Sequence, residues 1–326
     1  MKILFIGGTG NISSAVSAQV LALGHELWLL NRTGIDGLNG AISLIGDIHS
    51  AKTQEELLKH TWDVVVNWVA FNAADITRDC AIFRNKTQQY IFISSASCYQ
   101  KPGPTPLITE HTPLENPYWE YSRNKIAAEK TLRQASLHEQ FPATIVRPSH
   151  TYNRVIPLTL GGWTEYTCVD RMKRGLPVVV QDDGTSLWTL THASDFASGF
   201  IGLLGNTNAI GEDVHITSDE VLSWNEIYQL TAAAVGVKAE IVHVASARIC
   251  QLDPNYTGTL LGDKSVSSIF DNSKIKRLAP SFNAKISYKE GIKRTLAWFE
   301  ADTKRQIINP ETNLFFDKLI GDTRDF

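Results

Sequence analysis

Through the first half of the chain, short apolar runs alternate with longer stretches that are apolar along one side only. KILFIG, ELWLLN, AISLIGD, WDVVVNWVA and YIFISS are the β-type runs, and NISSAVSAQVLALG and SAKTQEELLKHT are helical intervals between them. A strand that is apolar at successive positions is covered on both faces, whereas a helix with one apolar stripe covers a sheet from one side. The rhythm predicts an α/β fold built on a doubly wound parallel sheet.

From about residue 150 the rhythm loosens. TYNRVIPLTLGGWTEYTC is rich in turn formers and aromatic residues before regular elements return at LPVVVQDDG and HASDFASGFIGLLGN. In SWNEIYQLTAAAVG, Ser223 and Glu226 have the spacing of a capping box, and Gly236 is placed to end the helix. The second half therefore reads as a smaller mixed α/β lobe. No repeat, low-complexity tract or linker separates it from the first, so the two lobes are expected to share chain crossings.

Composition narrows the class. The chain has 326 residues, 43% of them apolar, with a net charge of -3 from 31 basic and 34 acidic residues. No basic block provides an electrostatic footprint for nucleic acid. Cys80, Cys98, Cys168 and Cys250 are widely separated and form no metal-ligand spacing, so neither a disulfide framework nor a metal site is expected, and a cytoplasmic setting fits. No apolar run reaches membrane-spanning length, and MKILFIGGTG is too short for a signal-peptide core.

Candidate chemistry begins at FIGGTGNIS, between the first strand and the first helix. Gly7 and Gly10 permit a tight turn and the close approach of backbone N–H groups to a pyrophosphate, with Asn11 and Ile12 opening the helix and Ser13 where a third glycine is expected. The second strand ends in Asn31 and Arg32 instead of a ribose-gripping carboxylate. Arg32 either pairs with a 2′-phosphate, which favours NADP over NAD, or is a solvated loop residue. Asp47 either accepts from the adenine amino group or caps the next helix. Further on, Tyr121 and Lys125 lie one helical turn apart on one face, and a cation beside a phenol favours the phenolate needed for acid/base work. Ser95, in FISSASCY, has the chemistry to donate to the same substrate oxygen.

In this order and spacing the motifs resemble an extended short-chain dehydrogenase/reductase of the NAD(P)-dependent epimerase/dehydratase family. The match takes in the glycine loop, Asp47, DVVVNWVA, SSASCY, Tyr121-x-x-x-Lys125, VRPSHTY and HASDFA, from residue 3 to about 200. The resemblance implies a Rossmann fold, with residues 1–155 and about 190–215 forming the dinucleotide-binding domain. About 156–189 and 216–326 would form an interleaved substrate-binding lobe. It implies that Tyr121 is the acid/base, that Lys125 holds the nicotinamide ribose and lowers the tyrosine pKa, and that Ser95 orients the substrate oxygen. It extends the cofactor site to Ile48, Ala70 and Pro148, and suggests a homodimer through segments near residue 80 and 121–135. The expected chemistry is hydride transfer between a nicotinamide and a hydroxyl or carbonyl carbon of a small sugar-like substrate, either as a whole reaction or as half of an epimerisation.

The chain departs from the family at informative places. Ala96 and Ser97 stand where sugar-nucleotide dehydratases carry an acidic pair, which argues against water elimination. Trp188 stands where such enzymes carry an arginine on the nucleotide diphosphate. An indole brings one donor and no charge, so a diphosphate would need another cation such as Arg154 or Lys173. Trp188 is either core or a stacking surface. Ser97, His150 and Trp163 are further candidates on the substrate side, with simple packing the other reading of His150. His192 and Asp195 lack a third ligand and are read as structural, and Glu110 as a loop anchor. Two alternatives stay beside the leading one: a sugar-nucleotide 4-epimerase, and a non-catalytic dinucleotide-fold protein with a regulatory or RNA-binding role, since relatives with similar NRTG and SSASCY segments are plastid RNA-binding proteins.

Overall fold

The computed structural model describes residues 1–34, 38–105 and 107–324. Seven parallel strands form the central sheet: β1 (Lys2–Ile6), β2 (Glu26–Asn31), β3 (Ile42–Ile45), β4 (Trp62–Asn67), β5 (Thr87–Ile93), β6 (Ala143–Pro148) and β7 (Asp213–Ile216). Their spatial order is β7-β6-β5-β4-β1-β2-β3. The chain reverses direction across the sheet between β1 and β4, the topological switch point at which such sheets open a crevice at their carboxyl ends.

Strand alternation sorts the apolar residues into two layers. Ile3, Phe5, Val64, Val66, Ile91 and Ile93 face one side, packed with Val16 and Val20 of helix α1 (Ser13–Ala22). Leu4, Ile6, Val65, Tyr90 and Phe92 face the other, against Leu57 of α2 (Ala51–Leu58), Ile76 and Phe83 of α3 (Ala73–Phe83), and Ala128 and Leu132 of α4 (Glu120–Glu139). The period of two in the strands and the one-sided stripes in the helices are what produce these layers. Phe196 and Phe200 of α5 (Ala193–Ile201) complete the first layer, which also recruits Ile275, Ala279 and Phe282 from late in the chain.

The remaining residues form a second core around Trp188, Trp224, Tyr228, Tyr288 and Phe299. The capping box at Ser223 and Glu226 is present, and Gly236 takes a φ of 78° beyond the end of that helix. A small parallel pair, Val178–Gln181 with Ile241–Val244, makes this lobe mixed α/β.

One buried ion cluster fixes the long helix α4 to the sheet. The Arg147 guanidinium in β6 donates to both carboxylate oxygens of Glu129 in α4, at 2.8 and 2.6 Å, and lies 2.8 Å from Asp213 in β7. It also donates to the Tyr99 hydroxyl at 2.9 Å. Bidentate geometry and full pairing are what make a buried arginine tolerable. Glu129→Ala leaves part of that charge unmatched and is expected to cost roughly 3 kcal/mol, read as a shifted midpoint at unchanged slope in urea unfolding.

Candidate active site

A cleft of about 1500 Å³ lies at the carboxyl end of the sheet and brings together residues from both halves of the chain. Gly7, Gly10, Asn11, Ile12, Asn31, Arg32, Asp47, Ile48, Lys125 and Pro148 line it, as do Ser95, Tyr121, Ser97, His150, Trp163 and Trp188. Ala70 is set back from the wall, between Val69 and Phe71, which do line it, and its carbonyl is engaged by Lys125.

The glycine turn is built differently from its sequence reading. Gly7 and Gly8, with φ of 93° and 117°, are the left-handed residues, while Gly10 is not one of them. A Cβ on Gly8 would sit 2.6 Å from Leu29 Cδ2, so Gly8, missed in the sequence, joins Gly7 as a position where backbone conformation and close packing call for glycine. The Ser13 hydroxyl accepts from Gly10 N at 2.9 Å, a local bond that glycine could not make. No side chain caps α1; Ser14 N and Ala15 N donate to the carbonyls of Gly10 at 3.0 Å and Ile12 at 3.2 Å, and the positive end of the helix faces the cleft at Ile12 and Ser13. At the far end, Asn31 Nδ2 is buried without a partner and Arg32 is exposed. The capping alternative for Asp47 fails: Ser50 caps α2, accepting from Thr53 N at 3.2 Å, while Asp47 accepts from His49 N at 2.9 Å. A crevice with a glycine cradle, an uncapped helix and polar residues at its far edge fits a dinucleotide.

Ser95 follows β5 and starts the tight turn Ala96–Cys98, its Oγ accepting from Ser97 N at 3.2 Å. Ser122 Oγ donates to Ser97 Oγ at 2.7 Å, and Ser97 Oγ lies 2.9 Å from Ser95 Oγ. With the Ser97 proton directed along this row to Ser95, the Ser95 hydrogen is left for the cleft. Tyr121 enters from the first turn of α4. Burial pushes its phenol up to about 12, against a smaller downward pull from Ser95.

Lys125 is only 3% exposed and donates to the carbonyls of Ala70 at 2.6 Å and Ile93 at 2.8 Å. Burial holds its ammonium down to about 8. In this arrangement the lysine is not what sets the phenol. The ammonium is turned to two carbonyls, 5.7 Å from the phenol ring centroid, and desolvation dominates at Tyr121.

Asp263 and Lys264 also line the cleft, beside Trp119, Trp163 and Trp188, and sequence reasoning passed over both. An adjacent acid and base in GDKS has no motif, and only folding of the second lobe carries it to the site. The cations considered as substitutes for an arginine at 188 lie elsewhere: Arg154 stacks over Trp298 and Lys173 pairs with Glu300 at 3.1 Å. His192 Nδ1 caps α5, Asp195 accepts from Ile286 N at 2.8 Å, and Glu110 accepts from His215 N at 3.2 Å. Among the described residues no three His, Cys, Asp or Glu side chains are grouped to hold a metal ion.

Fold and cleft together define a dinucleotide-binding α/β enzyme. The chain belongs to the NAD dependent epimerase/dehydratase family, whose family model matches residues 3–217. It is 28% identical over 295 residues to 2'-dehydrokanamycin reductase of Streptomyces kanamyceticus, covering 86% of this chain and 80% of that protein. It is 26% identical over 259 residues to chloroplast stem-loop binding protein of 41 kDa b of Arabidopsis thaliana, covering 74% of this chain and 65% of the relative. The solved UDP-glucuronic acid 4-epimerase of Bacillus cereus, in complex with NAD, superposes with a TM-score of 0.73 at 19% identity, over 94% of this chain and 100% of the other. That likeness establishes the shared fold.

The lysine gives a pH test. Its folded pKa, about 8, lies below the ordinary 10.5, so between these values the unfolded chain binds the extra proton and stability rises with pH. Relative to Lys125→Met, the wild type is expected to gain roughly 2–3 kcal/mol across that window, measured by urea unfolding of both proteins at a series of pH values.

Proposed function

We propose that the cleft catalyses hydride transfer between a nicotinamide dinucleotide and a carbinol or carbonyl carbon of a sugar-like substrate, with Ser95, Tyr121 and Lys125 as its catalytic residues. The observation that carries this is the convergence of those three side chains at one end of a cleft whose other end is the glycine cradle. The turn Gly7–Ser13 would hold the pyrophosphate, Asn31, Arg32, Asp47 and Ile48 the adenosine, and Lys125 and Pro148 the nicotinamide riboside. When bound, the dinucleotide supplies or accepts the hydride.

Tyr121 gives its phenol proton to the substrate oxygen in reduction and takes it back in oxidation. With the phenol at about 12, the proton is in place near neutrality for the step that reduces a carbonyl. The reductase name of the Streptomyces relative agrees with that step. Ser95, with its hydrogen freed by the Ser122–Ser97 row, donates a second hydrogen bond to the same oxygen. Lys125, once drawn from its two carbonyls towards the ribose, places a cation near the phenol and eases proton loss. Ala96 and Ser97 offer no acid/base pair for eliminating water, and the indoles of Trp163 and Trp188 flank the substrate end beside Asp263 and Lys264. The balance of 31 basic and 34 acidic residues gives an RNA role no electrostatic support.

We infer further that NADP is preferred to NAD, because Arg32 is exposed at the end of β2 with no carboxylate at position 31. Four unpaired, buried cysteines fit a cytoplasmic setting. Pairing of two copies through the outer faces of α3 and α4 would bury Leu137, which is 78% exposed.

Tyr121→Phe is expected to lower NAD(P)H oxidation on a panel of sugar carbonyls by about 10²- to 10⁴-fold with dinucleotide affinity retained. Wild-type protein that binds neither dinucleotide in a fluorescence titration would overturn the proposal. Arg32→Ala is expected to weaken NADPH binding about tenfold and leave NADH binding unchanged; equal effects on both would remove the NADP assignment.

A further inference from the structure

The substrate end of the cleft contains a charge imbalance that its own residues do not resolve. Lys264 is 3% exposed and its ammonium lies 3.1 Å from the Asp263 carboxylate. The same carboxylate accepts from Lys101, which is also buried, so two ammonium groups share one counter-charge. Lys264 Nζ otherwise faces aromatic rings, 5.8 Å from the centroid of Trp119, 5.7 Å from Trp163 and 5.4 Å from Trp188. Ring faces attract a cation but accept no strong hydrogen bond, so of the three ammonium hydrogens only the one directed to Asp263 meets a carboxylate.

Next to it, His150 is 6% exposed, stacks on Trp163 at 4.6 Å, and has neither ring nitrogen hydrogen-bonded. Trp188 Nε1 is likewise buried and unpaired. Buried polar atoms without partners are uncommon and costly. Trp188 Nε1 and one nitrogen of the neutral imidazole are donors, and beside a surplus cation on a cleft wall they are complementary to an occupant that brings both negative charge and acceptors.

The residue is held for this use. Lys264 ends a single π-helical turn, Leu260–Lys264, and its carbonyl accepts from Trp224 Nε1 at 3.1 Å, with Gln181 and Ser186 each 3.4 Å away. The turn is tied to the serine loop by Asn116, whose Nδ2 donates to the carbonyls of Ser97 at 3.0 Å and Gly262 at 2.7 Å. Such isolated π turns recur at functional sites.

Resting on the proposed function of this cleft, we propose that Lys264, with His150 beside it, forms a subsite for a carboxylate carried by the substrate. Two lysines against one aspartate leave a single positive charge, which matches a carboxylate and falls short of a phosphate or diphosphate. An amino sugar would instead meet a like charge. The substrate class is therefore a sugar acid whose carboxylate lies within the same pocket as the carbon that Tyr121 serves.

The test is calorimetric titration of the full chain saturated with NADP or NAD, using glucuronate and galacturonate against glucose, galactose, glucosamine and glucose 6-phosphate. Uronates are expected to bind about tenfold or more tightly than the neutral sugars. Lys264→Gln should abolish that preference while dinucleotide affinity stays at the wild-type value, and Lys264→Arg should keep it. Unchanged dinucleotide affinity in both variants shows that the fold is intact. Equal binding of uronates and neutral sugars, preference for glucosamine or glucose 6-phosphate, or a uronate preference that survives Lys264→Gln each overturns the assignment and leaves the hydride-transfer proposal standing. Loss of dinucleotide binding in the wild type overturns both.

Discussion

The bidentate pair between Arg147 and Glu129 is the constraint through which the sheet governs the catalytic end of the molecule. Helix α4 carries Tyr121 in its first turn and Lys125 in its second, and Glu129 lies one turn further on. By anchoring that turn to β6, and through Asp213 to β7, Arg147 sets the height at which the two earlier turns meet the carboxyl end of the sheet. The same guanidinium donates to Tyr99, the residue that closes the serine turn, so one buried cation ties down both the helix that carries Tyr121 and Lys125 and the turn that carries Ser95. A buried arginine with one partner missing would be strongly destabilising, which makes this arrangement close to all-or-none.

Cleft polarity follows from the same layering. Apart from mutually paired buried groups such as the Arg147 cluster, the sheet is apolar on both faces, so the hydrogen-bonding groups of the cleft collect beyond the strand ends, and there each is committed in a particular way. Lys125 is desolvated and held by two carbonyls, while Tyr121 is kept protonated by burial. The hydroxyl row Ser122, Ser97, Ser95 extends from helix to loop with donors aligned towards the cleft. The protonation of Lys125 and Tyr121 is governed by solvent exclusion.

The second lobe contributes a different electrostatic character. Its aromatic core surrounds buried charge at Lys101, Asp263 and Lys264, and it presents that charge beside His150 and Trp188. The first lobe supplies the glycine cradle and the side chains of Ser95, Tyr121 and Lys125, and the second supplies buried charge and indoles at the other wall of the cleft.

Sequence alone determined the doubly wound sheet, because strand period and helix stripe are local properties of the chain and here they agree. It also determined Tyr121, Lys125 and Ser95 as neighbours in a motif, and the capping box at Ser223. Other features were decided only by the tertiary structure. Gly8 joins Gly7 as a position that calls for glycine, because the obstruction to a side chain is Leu29 on the adjacent strand. The Tyr121 phenol is pushed up by burial, with Phe71 and Trp119 packed beside its ring. Asp263 and Lys264 enter the site from more than 120 residues beyond the end of α4, where no local pattern marks them. Periodicity and short motifs are set by neighbours in sequence, whereas burial and charge pairing are set by neighbours in space.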